Sequence, residues 1–127
     1  MNATQSILAG SLLSTRKGFF INHVGIALGN GLIFHNSPEH GEHVSSLTSF
    51  SKGKKIYITH QLSSHEFSQT WARIGRMLQS PRGYHPTLNN CEHSLFRALG
   101  SAAKSPQLAA WTTSAIALAI GYVALTQ

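Results

Sequence analysis

One thiol, Cys91, stands among 8 histidines in this chain of 127 residues. A thiol within reach of an imidazole is a nucleophile with its own base, the combination that attacks carbonyl carbon and forms acyl intermediates. Cys91 follows Asn90, a good helix cap, so the sulfur is expected in the first turn of a helix. Free N–H groups and the helix dipole at that end stabilise a thiolate, which lowers a thiol below its ordinary value. His23 and His35 bracket a hairpin pattern and are the candidates for base and orienting partner. Their relation depends on register. A plain two-residue Asn30-Gly31 turn opposes Ile26 to His35 and sends the rings to opposite faces of the sheet. A three-residue Gly29-Asn30-Gly31 loop, or a bulge, opposes Gly25 to His35 instead, and His23 becomes a same-face diagonal neighbour at about 7–8 Å. The chemistry requires the second arrangement, with Gly25 leaving open space beside both rings.

Other polar residues compete for attention. His40 and His43, with Glu39 and Glu42 beside them, have the residue types of a metal site. One cysteine and no second ligand pair disfavour zinc, so no metal and no cofactor is expected. On a helix, Glu92 and His93 point about 100° and 200° away from Cys91. Glu92 is therefore assigned to capping, and His93 to packing or a surface contact. Tyr84 is either a lining residue or a core residue.

The elements that position these groups read as α+β, an antiparallel sheet packed on helices. Residues 19–28 and 32–35 are strand-like around the turn, and 55–60 (KIYITH) is a further β-branched strand. The polar stretch 36–53 reads as a loop. Ser63 and Glu66 have the spacing of a capping box, and Phe67, Trp71, Ile74 and Leu78 form one helical stripe. A second helix is expected over 91–103, with Leu95, Leu99 and Ala102 on its buried face.

Length and composition set the frame. The chain suits one domain. A lone cysteine excludes an internal disulfide. With 10 Lys+Arg, 4 Asp+Glu and no Asp, the formal charge is +6. That charge attracts anionic partners. The bases are scattered and lack an RNA-binding signature, so nucleic acid is disfavoured against an anionic membrane surface. Residues 108–126 (LAAWTTSAIALAIGYVALT) carry no charge, and as a helix would extend about 28 Å, near the bilayer core thickness. Arg97 and Lys104 precede this segment, placing the main domain on the cytoplasmic face. Ala109, Thr113, Ala117 and Gly121 give it a small-residue face suited to helix–helix self-association. The expected organisation is an extension over 1–9, a domain over 10–104, and a membrane-associating helix over 105–127.

His23 to His35 (HVGIALGNGLIFH), followed by Asn90 to His93 (NCEH), resembles the lecithin:retinol acyltransferase-like family. That family includes small phospholipase A/acyltransferases and viral H-box/NC proteins. The likeness spans most of 10–100 and includes a hydrophobic tail. Ala27 departs from the family pattern where an aromatic is usual, as does Ser94 where Phe follows Asn-Cys-Glu-His. Gly10-Ser11 stands where the first strand begins with Gly-Asp. The resemblance implies a circularly permuted papain-like thiol hydrolase fold, with Cys91 as nucleophile, His23 as base and His35 as its partner. It further implies a membrane-associated phospholipase A/acyltransferase acting on phospholipid through a Cys91 thioester. A papain-like peptidase or amidase is the alternative, as is a non-enzymatic interaction and membrane module.

Overall fold

A computed structural model describes residues 7–17, 20–100 and 102. Strands β1 (Ser11–Lys17), β2 (Phe20–Gly29), β3 (Leu32–Ser37), β4 (Gly41–Ser46) and β5 (Ile56–Gln61) form one antiparallel sheet in the order β4-β3-β2-β1-β5. Three helices accompany it: α1 (Leu47–Ser51), α2 (Ser64–Gln79) and α3 (Cys91–Leu99). The class is α+β, as the apolar patterning indicated.

Alternation of side chains divides the sheet into two faces. Leu12, Val24, Ile26 and Phe34 pack with Ile74 of α2 and with Leu95, Ala98 and Leu99 of α3. Leu13, Ala27 and Ile33 form the other face, under Leu47 and Phe50 of α1. Each large side chain buried in this way contributes about 1.5–3 kcal/mol of apolar transfer free energy. Helix-forming signals at the chain level hold locally. Ser63 and Glu66 make the reciprocal capping box at the start of α2. Gly100, at φ 55°, ends α3, and the Arg73 guanidinium donates to the Leu99 carbonyl at 2.9 Å.

Three expectations need correction. The stretch 36–53 is not a loop, since it completes β3 and supplies β4 and α1. Its polar residues misled because Asn36 and Glu42 are buried with hydrogen-bond partners, so polarity did not mean exposure there. Residues 11–17, which carry no strong pattern, pair with both β2 and β5. The inward stripe of α2 includes Thr70 and Ile74, whereas Trp71 is 54% exposed and Leu78 lies at the surface. Finally, α3 is shorter than 91–103. The apolar segment 108–126, with its Ala109, Thr113, Ala117 and Gly121 face, lies outside the described residues. Among the described residues no helix is long and apolar enough to cross a membrane.

Candidate active site

Asn30 and Gly31 both have positive φ, 54° and 74°, which makes a tight hairpin turn whose twist matches its strands. Alone, that two-residue turn would separate His23 and His35. A bulge at Leu28 prevents this: Gly29 opposes Leu32, yet Ala27 opposes Ile33 and Ile26 opposes Phe34. The extra residue resets the register, and both imidazoles emerge on the α1 face. Nε2 of His23 lies 2.7 Å from Nδ1 of His35.

Gly25 sits between them, but the space beside it is not open. A Cβ there would lie 2.9 Å from both the Phe50 ring and Ile33. Phe50 packs against both imidazoles, with ring centroids 5.1 Å from His23 and 5.2 Å from His35. Gly25 therefore allows an aromatic wall to close on the pair. His35 is also packed against His43, its cross-strand neighbour on β4, at 4.3 Å. Its Nε2 lies 2.7 Å from Ser45 Oγ.

Cys91 approaches from the opposite face, packed against the α2/α3 core. It lines one cavity with the histidines, beside the point where the β2–β3 ladder ends at Ile26–Phe34. Beyond that rung Val24 and His23 keep their partners on β1, Ser14 and Thr15, but pair with nothing on β3. The Val24 N–H is thereby free to hydrogen-bond the Cys91 sulfur. Cys91, His23, His35 and Tyr84 line one cavity of about 640 Å³. A narrower crevice between Val24, Phe34 and Leu95 also has Cys91 and His35 on its walls.

A buried polar network holds the start of α3 in place. The Asn36 amide donates to the Asn89 carbonyl at 2.8 Å and to Ser94 Oγ at 3.0 Å. The Glu42 carboxylate accepts from Ser94 Oγ at 2.6 Å, from the Arg82 N–H at 2.9 Å and from the Arg97 guanidinium. Ser94 thus serves as a polar anchor between β3, β4 and α3. Asn90 Oδ1 takes the N–H groups of Glu92 and His93, while His93 Nδ1 accepts from the Asn90 N–H. The reciprocal cap belongs to His93, not to Glu92 as expected, because His93 occupies the third position of the helix.

Electrostatics overturn the expected thiolate. Burial pushes the Cys91 thiol up to about 11. The Val24 N–H opposes that rise, and the Glu92 carboxylate adds to it. Removal from water outweighs the helix end here. Burial also holds His23 down to about 4, aided by the Lys52 charge, and His35 down to about 3, aided by His23. Near neutral pH the site is an uncharged thiol beside two uncharged imidazoles. Charge collects at the cavity rim, where Lys52 pairs with Glu39 at 2.7 Å and Lys54 also lines the wall.

His23, His35 and Cys91 are therefore brought to one cavity, and His40 and His43 line it too. No group of three or more His, Cys, Asp or Glu suited to a metal ion occurs among the described residues. Ser45, Phe50, Lys54 and the Glu42 network were missed from sequence. The alternation of His43 and Ser45 on one strand face was the signal, legible only once β4 is recognised. Compared with known proteins, the chain matches no family model and no curated sequence.

Proposed function

We propose that the protein is a membrane-associated thiol phospholipase A/acyltransferase. The observation that carries this is the His23–His35 hydrogen bond in a cavity shared with Cys91. The motifs around these residues resemble the lecithin:retinol acyltransferase-like family, whose permuted papain-like fold places two histidines before the cysteine. A cavity of about 640 Å³ is in the size range of small-molecule sites.

In this reading Cys91 sulfur attacks the ester carbonyl of a phospholipid as its proton passes to His23. The lysolipid alkoxide leaves with that proton, and a thioester remains on Cys91. Water, or an amine acceptor, then attacks the thioester with His23 again taking the proton, and the thiol is restored. His35 orients His23 and disperses the charge that His23 acquires. Backbone N–H groups of Val24 and Cys91 are the donors for the developing oxyanion, since Asn90 already takes those of Glu92 and His93. Because sulfur is protonated at rest, proton transfer accompanies attack rather than preceding it. A charge of +6 favours an anionic membrane surface, and residues 108–126 are the proposed anchor, with the domain on the cytoplasmic face.

The test is intact-mass analysis after incubation with phospholipid vesicles. An acyl adduct is expected on Cys91 and none on Cys91→Ala. Lipid turnover that survives undiminished in Cys91→Ala refutes the mechanism. One observation favours a second reading, a non-catalytic membrane module of the same shape: the thiol is largely buried and pushed up to about 11. Intact protein that neither acylates nor turns over lipid or peptide esters selects that reading.

A further inference from the structure

We infer that Ser45 is a positioning residue that sets which nitrogen of His23 is basic. The inference rests on the thiol–imidazole reading of the site and names a member of it that neither motif contains. The argument is proton counting along a chain of short contacts. Ser45 Oγ has one proton, and it donates to the Ser46 carbonyl at 3.1 Å. A carbonyl can only accept, so in the hydroxyl rotamer that makes this contact, the one we assign, the proton points away from His35. Ser45 Oγ must then accept from His35 Nε2, 2.7 Å away. A neutral imidazole has one N–H, which leaves His35 Nδ1 as an acceptor. His23 Nε2, 2.7 Å from that nitrogen, must donate to it. The lone pair of His23 is thereby left on Nδ1, its one nitrogen outside the chain.

Reversing the chain shows what Ser45 decides. If its hydroxyl donated to His35 Nε2, His35 would protonate Nδ1 and donate to His23 Nε2. His23 would then have its proton on Nδ1, with no lone pair to receive a proton from sulfur. One hydroxyl rotor separates a base from a non-base. The placement of Ser45 follows from strand geometry. His43 opposes His35 and Ser45 opposes Ile33, so Ser45 is the same-face diagonal neighbour of His35.

The experiment is nitrogen NMR of the full chain near pH 7, where both imidazoles are neutral, read together with acylation of Cys91 from phospholipid vesicles. Wild type is expected to show His23 and His35 both protonated on Nε2 and bare on Nδ1. Ser45→Thr, which keeps the hydroxyl, retains that pattern. Ser45→Ala loses it, and Cys91 acylation falls about ten- to a hundredfold, the scale on which partners orienting metal-bound histidines act. His23 protonated on Nδ1 in wild type overturns the inference without recourse to any variant. An unchanged pattern in a folded Ser45→Ala protein also overturns it. The expected tautomers in a protein that never acylates leave Ser45 in its role and refute the enzyme reading alone.

Discussion

Alkylating Cys91 with a small neutral haloacetamide across about pH 5 to 10 measures where the resting proton lies. Thiol reactivity follows the thiolate, so the rate reports the ionised fraction. Burial places the folded thiol at about 11, against 9.0 for an unperturbed one. At pH 7 the ionised fractions are ~10⁻⁴ and ~10⁻², so the native chain is expected to react roughly a hundredfold more slowly than the urea-unfolded chain. The imidazole does not rescue the thiolate. With His23 held down to about 4 and Cys91 pushed up to about 11, passing the resting proton from sulfur to His23 is uphill. The logarithm of the rate should climb close to one decade per pH unit throughout, without levelling. A plateau between about pH 5 and 8 is the signature of a thiolate–imidazolium pair. That plateau would refute the claim that desolvation outweighs the helix end, and with it the idea that proton transfer accompanies attack.

Three further outcomes follow from the same contacts. His23 and His35 lie below their ordinary 6.5 in the folded chain, so the unfolded chain binds more protons below that pH. Stability is complete above about 6.5 and falls as pH drops toward about 3, with His23 alone contributing on the order of 3 kcal/mol. Urea unfolding near pH 7 and pH 4 should show this loss, and a pH-independent midpoint would contradict it. Glu42→Gln removes the charged partner of Arg97 while two further donors, Ser94 and the Arg82 N–H, remain. It is expected to cost about 3 kcal/mol, the lower end for breaking a buried pair because the Arg97 side chain is 30% exposed. Thermal melts measure it, and a loss under about 0.5 kcal/mol would mean the pair is solvated. Gly25→Ala drives a methyl against Phe50 and Ile33 at 2.9 Å and should destabilise by about 1–3 kcal/mol. Unchanged stability in denaturant would show that Phe50 yields freely.

Much of the site was legible because its signals are local. Asn90 before Cys91, Ser63 three residues before Glu66, and Asn30-Gly31 between apolar runs each act within a few residues of themselves. The β4 strand was not legible, because Glu42 and its neighbours look solvated until their buried partners on α3 are known. Trp71 and Leu78 were misassigned for a related reason. Helical period defines a stripe, but which stripe faces inward depends on where α3 and the sheet lie.

By itself the amino-acid sequence determined that a cysteine begins a helix, that two histidines flank a tight turn, and that an antiparallel sheet carries them. These follow from backbone preferences and short-range capping. Tertiary structure decided the rest. The bulge at Leu28 selected the face on which the histidines meet, and the packing of α3 brought the sulfur to the cavity they line. Packing then removed water from all three groups, which set their protonation against the preference of the helix end. Register and desolvation depend on what surrounds a residue in space, and adjacent residues in the chain do not encode that.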